Sequence, residues 1–349
     1  MRRAFIFPAL TFLLFTACAH YLVEGSARQT AAYNALGEPV DLSALPGSVT
    51  GDPADDPSAA GLAEGAELSA ILGGRMERFA VSSGGDHAYG GGVGLGSAGM
   101  TFDCAMGGWG FAGAVVRRSD FAYLLEEGDR RLALSGDLWG LNGAVSYGER
   151  LRFGLGAEGL YGGWRYEEPD GGAEEGALFG WRGRLGLRYG EGSWSFGLRA
   201  SGPAELGRGP GLPWEADLWL AVPLTDKGGL KSVLEVAAGG YLFGPGAELR
   251  GVQGQDYAAR LADGLRGRVG LAWDLSEDFS FDVGAFFSAY PVKDNDAERL
   301  LWQVYTLGAG FGKNPRWGLE ASFSQVGAEG EDGYAGSALN LRLGAVFAL

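Results

Sequence analysis

The chain has 349 residues, and 43 acidic against 28 basic side chains give a formal net charge of −15, which argues against nucleic acid as a partner. Glycine is very frequent (64 residues) without a collagen-like period, and only two cysteines, Cys18 and Cys104, are present, so no intramolecular disulfide framework forms. A mean hydropathy near zero excludes a polytopic helical membrane protein.

Residues 1–19 read as a signal peptide. Arg2 and Arg3 form a basic start, and Ala4 to Ala17 form an apolar stretch too short to span a bilayer as a helix. Ala17-Cys18-Ala19 fits cleavage before His20. Phe15-Thr16-Ala17-Cys18 also fits a loose lipobox, with Cys18 lipidated, and the sequence leaves both open. Residues 20–65 are rich in Ala, Asp, Pro and Ser and do not fit the strand pattern, so on composition they could be a disordered periplasmic leader.

From residue 66 to 349 the pattern has period two. We expect fourteen strands, at about 67–83, 88–105, 109–117, 130–147, 150–164, 176–190, 193–202, 213–223, 230–243, 264–275, 278–290, 300–312, 316–325 and 337–349. Their connections are expected to alternate between short turns and long loops, with His87 in the first outer loop, as in an outer-membrane barrel. Phe179, Trp181, Leu185, Leu187 and Tyr189 alternate with Gly180, Arg182, Arg184, Gly186 and Arg188, so one face is apolar and the other Gly and Arg. The same phase places Arg182, Arg184, Arg188, Arg199, Arg266, Arg268 and Arg342 in a lumen with Glu158, Glu215, Asp217, Glu235, Asp282 and Glu320. Paired there, they fill the barrel; an unpaired guanidinium would suit the anionic head of an amphipathic solute. Leu187 is expected at mid-strand facing lipid, and a side chain substituted at Gly186 is expected to enter the lumen and damage folding less than an arginine at Leu187. Trp194, Trp214 and Trp317 stand at strand starts, where an interfacial aromatic girdle belongs.

Gly90 to Gly113 is a glycine-rich tract over the second and third strands, suited to a bulge or a break in the wall. In the loop from Gly244 to Asp263, Asp256 to Ala262 has helix-forming composition and sets Tyr257 and Leu261 four residues apart, so a short helix over the mouth is expected. Leu339, Leu341, Leu343, Ala345, Phe347 and Leu349 alternate to the last residue, in the manner of the terminal signal read by barrel-assembly machinery.

Catalytic patterns are weak. Two G-x-G-x-x-G matches, at Gly94 and Gly154, lie in strand patterns and do not open helices. His20 and His87 are the only histidines, and no H-E-x-x-H or C-x-x-C is present. We therefore expect no enzyme, no cofactor and no metal site.

Gly51-Asp52-Pro53-Ala54-Asp55-Asp56-Pro57-Ser58-Ala59-Ala60-Gly61-Leu62-Ala63 resembles the hatch of the FadL/PorV family of outer-membrane barrels. Asp52, Pro53, Asp56, Pro57 and Gly61 carry the motif, with Asp56 where Asn is usual. Leu212-Pro213-x-Glu215-Ala216 and Asn314-Pro315-Arg316-Trp317 resemble a FadL-like group as well. The resemblance implies an all-β fold: a fourteen-stranded antiparallel transmembrane barrel, integral to the bacterial outer membrane, with residues 20–65 as hatch and 66–349 as barrel. It implies passive uptake of hydrophobic or amphipathic small molecules resembling long-chain fatty acids, or else a non-transporting scaffold for a secretion or surface-assembly complex. The implied partners are membrane lipid, the barrel-assembly machinery, and a hydrophobic solute or secretion-complex proteins.

Overall fold

The computed structural model describes residues 21–22, 30–32, 55–62 and 65–349, apart from 84–85, 128–129, 168–172, 192–193, 207–210, 228–229, 244–247, 251–257, 262, 277, 290–291, 294–300 and 328–332. Fourteen antiparallel strands form the wall: β1 (Ala66–Ser83), β2 (Asp86–Met106), β3 (Trp109–Glu127), β4 (Arg130–Tyr147), β5 (Leu151–Glu167), β6 (Ala173–Glu191), β7 (Trp194–Ser201), β8 (Trp214–Lys227), β9 (Leu230–Leu242), β10 (Gly264–Ser276), β11 (Phe279–Ala289), β12 (Leu301–Phe311), β13 (Arg316–Gly327) and β14 (Gly333–Ala348). Each pairs with its sequence neighbour, and β14 pairs with β1, which closes the barrel. Among the described residues no helix is long and apolar enough to cross a membrane.

The alternation in the sequence becomes two faces. Phe179 is 70% exposed, Trp181 74% and Leu185 57%, while Arg182, Arg184 and Gly186 between them are buried. Outward apolar side chains continue around the whole wall, from Met100 and Phe102 to Leu341 and Leu343. Water does not tolerate an apolar belt of this extent, whereas lipid requires one. At the rim with the short turns, Trp109 lies opposite Tyr147 with ring centroids 4.7 Å apart, Tyr189 opposite Phe196 at 5.4 Å and Trp273 opposite Phe281 at 5.7 Å. These cross-strand aromatic pairs form a band at that rim, where Trp194 and Trp317 also stand, whereas Trp214 begins β8 at the opposite rim, after the long connection.

The β2–β3 ladder is the exception in the wall. It runs only from Met106↔Trp109 to Gly99↔Val116, although both strands continue for many residues beyond. Two bulges mark the point of parting. Gly96 is the extra residue where the β1–β2 register shifts, and the β3–β4 register shifts between Arg117 and Ser119. Beyond the parting, Tyr21–Leu22 pairs with Gly91 and Gly90 of β2, and Thr30–Ala32 pairs with Leu124 to Ala122 of β3. The break falls inside the Gly90–Gly113 tract.

Four expectations need correction. The mouth loop holds no helix over Ala258–Leu261; this segment is the central strand of a small sheet with Glu248–Arg250 and Val292–Lys293, and Leu261 pairs with Val292. A helix of seven residues gains little by itself, and two neighbouring strands offer more hydrogen bonds. Tyr257 lies outside the described residues. His87 stands on β2 opposite Ser82, because the first two outer connections contain only two residues each. Loop lengths therefore do not alternate strictly. Finally, β3 runs ten residues past 117, the end expected from sequence; its bulge breaks the alternation there.

Candidate functional site

The inner face of β4, β5 and β6 is layered by its register. Ser146, Gly154 and Gly186 stand side by side near the short-turn rim. One step outward come Ala144, Gly156 and Arg184, then Asn142, Glu158 and Arg182. Above these lie Gly140, Leu160 and Gly180, and then Leu138, Gly162 and Leu178. The lumen thus changes from a small-residue seat, through a charged layer, to an apolar layer.

Residues 55–62 occupy the seat. Pro57–Ala59 form a single 3-10 turn, capped by Asp56, whose carboxylate accepts from the Ser58 amide at 2.9 Å and the Ser58 hydroxyl at 2.6 Å. An aspartate therefore fixes this turn in place of asparagine. Asp56 to Ala60 are buried against the wall. A Cβ on Gly110 would overlap the Ala60 backbone, one on Gly154 the Pro57–Ser58 peptide, and one on Gly186 the Asp56 side chain and Ser58. Gly61 adopts φ +70° directly over Gly110. The Gly61 amide donates to Asp103 at 2.5 Å, and the Ala60 carbonyl accepts from Ser146 at 2.7 Å and Arg152 at 2.6 Å. A side chain at Gly186 would point inward, as the phase requires, but into the space held by Asp56 and Ser58. Asp52 and Pro53 lie outside the described residues, whereas Asp56, Pro57 and Gly61 take part in this contact.

The charged layer is extensively paired. Glu158, with 0% exposure, accepts from Arg182 at 2.6 Å, from Arg184 at 2.6 Å and from Arg118. Glu215 bridges Arg182 at 2.8 Å and Arg266 at 2.7 Å. Arg266 also grips Asp217 with both arms, at 2.7 and 2.6 Å, and Arg199 reaches Asp217 at 2.9 Å. Asp55 joins this layer to the seated segment, 2.7 Å from Arg118 and 3.5 Å from Arg184. Burial alone would push its carboxyl up, but Arg118, Arg184 and Arg199 outweigh it and hold Asp55 below the usual carboxylate range. Burial raises Asp56, against the two Ser58 hydrogen bonds.

The remaining lumen-facing candidates are placed as their phase requires. Arg188 lies 5.0 Å from the ring centre of the buried Trp219. Arg268 is half-buried on β10 and Asp282 buried on β11. Glu320 and Arg342 form a separate cross-strand pair at 2.6 Å. Sequence reasoning missed Asp55, Arg117, Arg118 and Trp219. The adjacent Arg117-Arg118 was the available signal, since two consecutive charges break a period-two pattern.

The apolar layer is closed on the side of the outer connection that follows β7. Ala204 pairs with Leu212, and Leu206 packs over Gly180, beside the buried Leu160 and Leu178. Tyr241, on β9, is also fully buried and donates its hydroxyl to the Ala289 carbonyl.

A closed fourteen-stranded barrel with a lipid-facing apolar belt and a polar, filled lumen is an outer-membrane-type β-barrel. Its fold is that of the FadL-type hydrophobic-compound channels. The chain is similar to a Pseudomonas aeruginosa FadL homologue, with TM-score 0.67 and 11% identity over 94% of this chain and 99% of that one. It is similar to the Pseudomonas putida toluene transporter TodX, with TM-score 0.60 and 13% identity over 92% and 99%. It is likewise similar to the Ralstonia pickettii toluene transporter TbuX, with TM-score 0.60 and 13% identity over 91% and 100%. No protein-family model matches the sequence, and no curated protein sequence does.

Proposed function

We propose that the chain is a bacterial outer-membrane channel for passive uptake of hydrophobic or amphipathic small molecules, with residues 1–19 removed as a signal peptide and residues 20–65 acting as the hatch. The observation that carries this reading is the pairing of two features. A short N-terminal segment rests on a glycine-lined seat, held by side chains and not by the ladder of the wall. Close to it, the β2–β3 ladder stops partway up the wall, and beyond the stop the two edges pair only with the short Tyr21–Leu22 and Thr30–Ala32 segments, which a hydrophobic solute would displace to leave sideways into lipid. The similar solved structures described as toluene transporters support a hydrophobic cargo. The dense pairing of the lumenal charges favours a neutral or weakly polar solute over a fatty-acid carboxylate.

The test is tracer uptake by vesicles containing the refolded mature protein. Gly154→Leu forces a side chain into the Pro57–Ser58 peptide. Overpacking of this kind costs about 1–3 kcal/mol, enough to weaken seating of the segment while leaving the barrel closed. Uptake should rise in Gly154→Leu above wild type. If neither protein takes up a hydrophobic tracer, the channel reading is lost and a scaffold for a secretion complex replaces it. A simpler expectation concerns location. The protein should fractionate with outer membranes and shift its gel position on boiling, whereas recovery in the detergent-free soluble fraction would contradict the membrane reading.

A further inference from the structure

The outward face of β3 to β6 holds two hollows, one above the other. The upper one is polar. Asp137, Gly163 and Ala177 stand side by side on β4, β5 and β6. The next row toward the short turns is Trp139, Tyr161 and Phe179, and toward the outer rim Arg165 faces Glu175. Between these rows the small Gly163 and Ala177 leave a hollow of about 460 Å³. Asp137 is 43% exposed, accepting from Arg117 at 2.8 Å and from the Trp139 indole at 3.1 Å. Glu175 lies 3.3 Å from Arg165. Asp137 is ten residues along β4 from Tyr147, about 25 Å above the short-turn rim for a strand tilted by roughly 40°. That is the height of an outer-membrane apolar band, so this hollow lies at the outer interface. The lower hollow is apolar. Gly113, Gly143 and Ala157 form one row across β3, β4 and β5, and a Cβ at either glycine would meet no side chain within 4 Å. The result is a groove of about 670 Å³, with Phe111, Val145 and Leu155 as the ridge beneath it. Gly159 connects the two hollows through the row of Leu141 and Trp181; a Cβ there would meet only the Leu141 carbonyl, at 4.0 Å.

We propose that this face binds one outer-leaflet glycolipid, its neutral saccharide head in the upper hollow and an acyl chain in the groove below. The site is independent of what the lumen carries. Both hollows fall within the size range of small-molecule sites. The head is identified by complementarity. Asp137 and Glu175 offer acceptors, which call for a ligand rich in donors, and two carboxylates against Arg165 disfavour a phosphate. Arg165 in turn disfavours an ammonium head and donates to neutral oxygens. Sugar hydroxyls donate and accept, and the apolar face of a sugar ring covers the rings of Trp139 and Tyr161. The spacing fits the chain. Six residues of β5 separate Gly163 from Ala157, a drop of about 15 Å along the bilayer normal at the same tilt, which is the depth of one leaflet's hydrocarbon. Large side chains elsewhere in the belt hold acyl chains away from the backbone. The glycine row lets one chain lie directly on it and gain close dispersion contacts.

The test counts bound lipids by native mass spectrometry of the refolded mature protein in detergent. The probes are glucosyl diacylglycerol, phosphatidylglycerol and phosphatidylethanolamine, all with oleoyl chains, and a dioctanoyl form of the glucolipid. Wild type should retain one glucolipid per barrel under activation that strips both phospholipids. Asp137→Asn and Glu175→Gln should each weaken glucolipid binding about tenfold at either chain length, the loss of one charge-assisted hydrogen bond. Gly143→Leu fills the groove and is itself apolar, so the barrel should still insert. It should weaken the dioleoyl glucolipid about tenfold, as if two methylenes lost their burial, and leave the dioctanoyl form unchanged, because short chains end above the groove. Leu319→Ala, on the lipid face of β13, should change nothing. Gel position before and after boiling verifies folding. If Asp137→Asn fails that check, Glu175→Gln carries the head-group arm alone. Equal retention of all three dioleoyl lipids, or equal glucolipid binding by wild type and every folded variant, reduces the face to ordinary lipid contact and overturns the proposal. Preferential retention of either phospholipid overturns the saccharide head. A lipid-free dimer that Gly143→Leu abolishes assigns the face to a second copy of the chain and overturns the proposal as well.

Discussion

Replacing Glu158 by glutamine is expected to destabilise the barrel by about 3–5 kcal/mol, the cost of removing one partner from a buried charge group. The carboxylate is completely buried and holds three guanidinium groups, from Arg118, Arg182 and Arg184. A glutamine keeps the volume and one acceptor but no charge, so three buried cations lose their common counter-ion. Denaturant unfolding of the bilayer-inserted protein, followed by tryptophan fluorescence, reads this directly. Glu320→Gln is the comparison, since Glu320 has one close partner, Arg342, and is partly exposed. Its loss should be about 1–3 kcal/mol, because one largely buried guanidinium, and not three, loses its carboxylate. Equal losses at the two sites would show that the layer around Glu158 is not a connected unit.

Leu185→Arg should obstruct insertion, at a cost of about 2–4 kcal/mol for an arginine at the midplane on the lipid face. Leu185 suits this test better than Leu187, which lies nearer the short-turn rim and is less exposed. Gly186→Arg, one residue on, should behave differently. Its side chain enters the space held by Asp56 and Ser58, so the barrel should still insert but lose the seated segment. Folding yield in vesicles separates the first effect, and the mobility of a spin label at Leu62 the second. Normal insertion of Leu185→Arg would show that its side chain does not meet lipid.

Where period two runs unbroken, the sequence reveals almost everything. The faces of β5, β6, β7 and β13 follow from alternation alone, as does the inward placement of Arg182, Arg184, Arg199, Asp217 and Arg342. The fourteen strands follow too, because each carries enough repeats to outweigh a local irregularity. What alternation hides is any residue at which it stops. The β3 bulge shifts the phase at Arg117-Arg118, so the continuation of the strand and the contacts of both arginines did not follow from alternation, and only the doubled charge marked the place. The role of Asp55 was hidden for another reason: its partners lie 63 and 129 residues away, on strands whose position relative to the segment only the closed barrel defines. The seat was obscured as well. Gly110, Gly154 and Gly186 look like ordinary members of a glycine-rich wall until the backbone of residues 57–60 is laid against them. In the mouth loop, composition favoured a helix, but strand partners about ten and thirty residues distant decided the outcome.

Five peptide units join Gly61 to the first residue of β1, Ala66, and Gly65 among them adopts φ +104° with open space around it. Five residues reach at most about 17 Å. A segment on so short a leash returns to its seat by an intramolecular step, at an effective concentration of order millimolar. Two consequences follow for anyone who manipulates this site. A free peptide copying residues 55–62, added at micromolar concentration, will not compete for the seat. A substitution that weakens docking tenfold will shift the occupied fraction far less than tenfold wherever the seat starts near saturation. Only a change that fills the seat or cuts the leash will empty it outright.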